Sequence, residues 1–124
     1  MFAFKKKYFF IIESIKDINL NNLKNLDKFN IIYRYTNKHE NLRDLILFRT
    51  YCKSKRINFY ISNNIKLAIK LKSDGVYISA HNKKLNLRNF KKEYEIIGGA
   101  HNIKEINLKK LQGCSEILLS RLFK

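Results

Sequence analysis

Apolar residues fall into six short runs along this chain, separated by stretches in which they recur at helical spacing. The runs are Tyr8–Ile12, Asn30–Tyr35, Asn58–Ile61, Gly75–Ile78, Glu95–Gly99 and Glu116–Ser120. Each has the length of a strand and ends at polar or turn-forming residues. Between them the spacing predicts amphipathic helices near residues 19–28, 40–55, 64–72 and 103–112, with a short one around 85–92. The clearest unit is INFYISNNIKLAIKLKSDGVYIS, residues 57–79, whose central helix carries Ile65, Ala68, Ile69 and Leu71 on its apolar side. Strand, helix and strand joined by short connections form a βαβ unit, and its two strands must lie parallel. Asn63 or Asn64 can cap the helix, and the Asp74-Gly75 step suits a tight turn into the second strand.

Runs such as FFII and EIIGG are apolar on both faces, which marks parallel strands covered by helices. No hairpin signal interrupts the alternation. The pattern therefore predicts an α/β fold in one domain spanning 1–124, a TIM-barrel-like (β/α) repeat of about six units of roughly 20 residues each. The strands should follow one another in sequential order, with the helices on the outer face. The polar cluster Ser62-Asn63-Asn64 then sits at the C-terminal end of a strand, where such folds hold their chemistry.

Composition narrows this picture. The 124 residues can bury a single core, and 45% hydrophobic content excludes a wholly disordered polymer. No apolar run approaches the roughly 20 residues a membrane span needs. In the opening MFAFKKKYFFIIES the basic residues follow apolar ones and no small-residue cleavage site comes after, so it reads as a first strand with Lys5–Lys7 solvated ahead of it. Cys52 falls in mid-helix and Cys114 just before the last strand, neither at metal-ligand spacing. Two such thiols imply a reduced, cytoplasmic protein.

The net charge of +16 attracts anions, such as phosphorylated metabolites, nucleic acid or acidic lipid. The lysines, however, are spread through nearly every helix and loop beside abundant Asn and Ile, as AT-rich coding would give. No zinc-knuckle spacing, aromatic RNA-binding signature or basic heptad is present, so no specific nucleic-acid partner and no membrane partner is expected. GxGxxG and P-loop motifs are absent as well.

Several segments together resemble the family of thiamine phosphate synthases and their TenI-like thiazole tautomerase relatives, which are single-domain (β/α)8 barrels. Ile61-Ser62-Asn63 with Ala68, then Ser73-Asp74-Gly75-Val76-Tyr77-Ile78-Ser79-Ala80, are similar to the family's third- and fourth-strand motifs at the same spacing. Ile31-Ile32-Tyr33-Arg34 resembles its second strand. Ile96-Ile97-Gly98-Gly99-Ala100-His101-Asn102 resembles its fifth, one residue shorter, and Ile117-Leu118-Leu119-Ser120-Arg121-Leu122-Phe123-Lys124 its sixth. The matches occur in order. Against that pattern the last two βα units are missing, and an open six-unit portion of a barrel is expected, with strand edges that an oligomer would cover.

The resemblance implies phosphorylated pyrimidine and thiazole metabolites as partners, and Mg2+ as a cofactor. The family's two metal-binding Asp positions correspond here to Asn63 and Asn82, whose amides bring no charge to balance a cation. It also implies an acid/base role for His101, as proposed for tautomerase-like members. Arg34, at the end of an apolar strand, either clamps a phosphate with its planar fork or pairs with Glu13. Ser62 and Asn63 either bind a ligand or cap the following helix. Gly98 and Gly99 let a phosphate approach the backbone closely or merely relieve crowding. Tyr77 stands where the family has His and reads as barrel filling. His81 and Asn82 follow the fourth strand and reach the same mouth, without zinc spacing, and His39 faces solvent.

Three functions follow from the resemblance. The first is a synthase-like transferase that joins a hydroxymethylpyrimidine diphosphate to a thiazole phosphate and releases pyrophosphate. The second is a metal-independent tautomerase-like isomerase using His101. The third is a non-catalytic barrel remnant that binds phosphorylated metabolites or a protein partner.

Overall fold

The computed structural model describes residues 8–22, 29–34, 40–85 and 95–119. Its six strands are β1 (Tyr8–Ile12), β2 (Phe29–Tyr33), β3 (Asn58–Ser62), β4 (Gly75–Ile78), β5 (Glu95–Ala100) and β6 (Glu116–Leu119). They pair in the order β1-β2-β3-β4-β5-β6, every pair parallel. The sheet curls into a half-barrel of TIM-barrel type. The α-helices are α1 (Leu42–Ser54), α2 (Ile65–Leu71) and α3 (Ile103–Leu111). α1 packs on β3, α2 on β3 and β4, and α3 on β5.

Side chains alternate along each strand and so divide the core in two. Ile31, Tyr33, Phe59, Ile61, Val76, Ile78 and Ile96 face the helices and form the larger cluster with Leu45, Cys52, Ala68 and Leu71. Ile32, Tyr60 and Ile97 face the concave side, joined by Phe9, Tyr77 and Leu118. The two-sided burial explains why the central strands read as unbroken apolar runs.

Each α-helix begins at an asparagine whose side-chain oxygen accepts a backbone N–H three residues on. Asn41 caps α1 through Asp44, Asn64 caps α2 through Leu67, and Asn102 caps α3 through Glu105. Of the residues considered for capping α2, Asn64 takes the role, and Ser62 and Asn63 do not. Lys72 closes α2 in the left-handed region at φ 52°. Gly75 is required for a different reason than a turn, because a Cβ there would collide with the carbonyl oxygen of Glu95.

The N-terminal end of the sheet is stapled by polar side chains. Asp74 Oδ2 accepts the Phe59 N–H at 2.8 Å and faces Arg49 Nη1 at 3.2 Å, while Arg49 Nε donates to the Lys72 carbonyl at 3.0 Å. Asn30, buried between strands, donates to the Tyr8 carbonyl and accepts from Asn58. At the opposite end Glu40 ties the chain after β1 to β2. It accepts from Ser14 Oγ at 2.6 Å, the Ile15 N–H at 2.9 Å and the Tyr33 hydroxyl at 2.5 Å.

Two expectations change. Of the helix predicted over 19–28, the described residues 19–22 hold a 3-10 turn at Leu20–Asn22, preceded by another at Ile15–Asp17. A Ser14–Asp17 capping box opens the first turn, with the Ser14 side chain accepting the Lys16 N–H. The second strand starts at Phe29 and ends at Tyr33, short of Tyr35, which lies outside the described residues. The expectations for Lys5–Lys7, residues 23–28, His39, residues 86–92 and Ser120–Lys124 also lie outside them. No helix among the described residues is long and apolar enough to cross a membrane.

Candidate functional site

A cavity of about 260 Å³ opens at the C-terminal ends of the strands. Alternation decides which residues reach it. Ile11 of β1, Arg34 just beyond β2, Ser62 of β3, Tyr77 of β4 and Gly99 of β5 all stand at concave-side positions, and all line the cavity. Asn63, Ser79, Ala80 and His81 come from the segments after β3 and β4, and Ala100 and His101 close the wall at β5.

Arg34 is half exposed, lines the mouth and faces Glu13 with Nη1 3.7 Å from Oε2. At that separation and exposure the pair is weak and the guanidinium remains available to an anion. Tyr77 fills the concave side with its ring. Its hydroxyl lies against Gly99, where any Cβ would collide with it, and has no hydrogen-bond partner among the described residues. Burial pushes the Tyr77 phenol above its ordinary value, only partly offset by nearby Arg34, so the hydroxyl stays protonated and can donate to a ligand.

His101 is oriented by α3. Its backbone N–H donates to Glu105 Oε1 at 2.7 Å, and its ring Nδ1 lies 3.1 Å from the same oxygen. The backbone bond from His101 is the main reason the Glu105 carboxyl is held below its usual value, with the imidazole contributing further. A carboxylate on Nδ1 leaves Nε2 as the free nitrogen. The ring of His81 stands opposite, with centroids 6.3 Å apart.

Gly98 is not part of the mouth. It faces the helices, where a Cβ would lie 2.6 Å from Cys114 Sγ and 2.8 Å from Lys109 Cδ, so its small size serves the packing of α3 rather than a substrate. Parity with Ile96, which also faces the helices, separates Gly98 from Gly99 and is visible in the sequence. Asn82 does not line the cavity either. Its side chain turns toward Asn63 and donates to Asn63 Oδ1 at 3.0 Å.

That contact bears on the magnesium expectation. Asn63 sits in the left-handed region at φ 57°, and its Oδ1 accepts both Asn82 Nδ2 and the Ser79 N–H, which uses both lone pairs. Asn63 Nδ2 donates to Ser79 Oγ, and Asn82 Oδ1 accepts the Lys84 N–H. The amide oxygens are engaged within the protein and carry no charge. Among the described residues, moreover, no group of three or more His, Cys, Asp or Glu could hold a metal. The residues present do not fit Mg2+. Neither Cys52 nor Cys114 lines the cavity, and burial pushes the first thiol up to about 12 and the second up to about 11.

A parallel half-barrel with polar side chains converging at its C-terminal rim belongs to the class of TIM-barrel-like α/β proteins. Within that class, a solved structure similar to this chain is the thiamine phosphate pyrophosphorylase from Pyrococcus furiosus, with a TM-score of 0.68 at 12% identity. The alignment covers 96% of this chain and 62% of that one, so this chain spans less than two thirds of its length. At that identity the likeness is one of fold. No protein-family model matches the sequence, and no curated protein matches it significantly.

Proposed function

We propose that this chain is a thiamine phosphate synthase-like protein that binds a phosphorylated thiazole or pyrimidine metabolite at the barrel mouth without Mg2+. The observation that carries the reading is the convergence of Arg34, Ser62, Tyr77, Gly99 and His101, from four strands and the start of α3, on one cavity. Arg34 offers the phosphate a planar pair of donors, Ser62 and the protonated Tyr77 hydroxyl add neutral donors, and Gly99 leaves room above the sheet. A similar fold in a thiamine phosphate pyrophosphorylase supports this choice of ligand class. Calorimetric titration with inorganic phosphate, pyrophosphate, a thiazole phosphate and a pyrimidine diphosphate, each with and without Mg2+, tests it. The phosphorylated ligands should bind independently of Mg2+ and lose affinity in Arg34→Ala. A parent protein that binds none of them would refute it.

The His101–Glu105 contact favours a second reading, a metal-independent isomerase of tautomerase type. With Nδ1 held by the carboxylate, Nε2 would take a proton from a bound thiazole carboxylate and return it to another ring position, with no net change in charge. Solvent deuterium should then enter the thiazole with the parent protein and not with His101→Gln.

A further inference from the structure

Behind the mouth, on the helix side of the sheet, lies a polar cluster that the cavity itself does not contain. Lys109 and Gln112 have no solvent-exposed surface. Lys109 Nζ donates to the Asn82 carbonyl and to Gln112 Oε1, both at 2.7 Å. Gln112 Nε2 in turn donates to the carbonyls of Asn82 and Lys84, both at 2.8 Å. The Asn82 oxygen thus accepts two bonds, and both hydrogens of the Gln112 amide are used. No carboxylate hydrogen-bonds to the ammonium among the described residues, and burial pulls Lys109 below its ordinary value.

An ammonium in such a place is costly, and an apolar side chain of similar volume would fill the space at less cost. What the cluster grips explains its chemistry. Residues 82–84 have no regular secondary structure, so two carbonyls of this segment find their donors on α3 instead of in a ladder. The segment directly follows Ser79, Ala80 and His81, which line the cavity, and it carries the Asn82 amide that fixes Asn63.

We propose that Lys109 and Gln112 are positioning residues: from behind the sheet they hold residues 82–84, and through them set His81 opposite His101 and Asn63 against Ser79 at the mouth. The consequence for ligands rests on the phosphate-binding reading above; the consequence for His81 does not.

Lys109→Met keeps the apolar stem against Gly98 and removes the ammonium, and Gln112→Met removes the amide. Each variant is compared with the full parent chain by thermal melting, by the nuclear Overhauser contact between the His81 and His101 rings, and by titration with inorganic phosphate. Folded variants should lose the ring contact and bind phosphate a few-fold more weakly, because Asn63 adjoins Ser62 and a loosened rim holds its donors less firmly in one arrangement. Gln112→Glu keeps the acceptor for Lys109 but sets an oxygen against the carbonyls of Asn82 and Lys84, so it should lose the ring contact as Gln112→Met does. If a folded variant keeps both the ring contact and the parent's phosphate affinity, the proposal is wrong. It is equally wrong if neither methionine variant folds, since the cluster would then serve the fold as a whole. Should the parent bind no phosphate, the ring contact alone decides, so failure of the ligand reading is distinguishable from failure of this one.

Discussion

Replacing Arg34 separates binding from stability. The guanidinium is half exposed and meets Glu13 at 3.7 Å, a surface pair worth at most about 1 kcal/mol. Arg34→Ala should therefore leave the denaturant midpoint nearly unchanged. A phosphate at the mouth would lose a bidentate, charge-assisted contact, on the order of 1.5–3 kcal/mol, or roughly ten- to a hundredfold in affinity. Glu13→Gln acts in the opposite direction, because it removes the carboxylate that competes for the same guanidinium. Its effect should be a gain of a few-fold at most, larger at low ionic strength, since exposed charges are screened beyond about 10 Å at 0.1 M salt. Phosphate and pyrophosphate titrations of both variants at two salt concentrations, beside urea melts, give the complete comparison. If Arg34→Ala binds like the parent, or Glu13→Gln binds more weakly, the anion does not sit on Arg34 and the reasoning fails.

Gly99→Ala should cost about 1–3 kcal/mol by overpacking against the Tyr77 hydroxyl, and adding Tyr77→Phe should recover part of the loss in a double-mutant cycle of melts. Changing both Asn63 and Asn82 to Asp puts two carboxylates where an amide pair now stands 3.0 Å apart. The double variant should melt below the parent without metal and rise toward it with Mg2+, whereas the parent should not respond to Mg2+. Burial opposes ionisation of Glu40, but the bonds from Ser14, Tyr33 and Ile15 outweigh it and hold its carboxyl below the ordinary 4.5. A lowered folded-state value contributes stability that is present above the unfolded value and lost as pH falls through the folded one, so Glu40→Gln should flatten the acid side of the stability profile in urea melts.

The order and direction of the strands were legible because the central strands are buried on both faces, which leaves runs such as Phe59-Tyr60-Ile61 with no polar interruption. Arg34, Ser62, Asn63 and His101 were legible as mouth residues because each directly follows or ends a strand. Facing is what position alone does not convey. Gly98 and Gly99 look alike in sequence, and only counting from Ile96 assigns one to the helices and the other to the cavity. The place of the Tyr77 hydroxyl against Gly99 was not legible, because an aromatic ring says nothing of where its hydroxyl ends. The Lys109–Gln112 cluster was hidden for another reason. A Lys and a Gln on a helix carry no signal of burial, and here both bond to a loop brought over from β4.

The staple of Arg49, Asp74 and Phe59 lies at one end of the strands and the cavity at the other, roughly 15 Å apart for strands of this length. Substitutions at two such places usually add without interacting. The end that secures the sheet can thus stay fixed while side chains at the rim are exchanged one at a time. In evolutionary terms the fold can be inherited and the chemistry rewritten. A rim residue such as Arg34, half exposed and weakly paired, is one that can be exchanged without first risking the barrel.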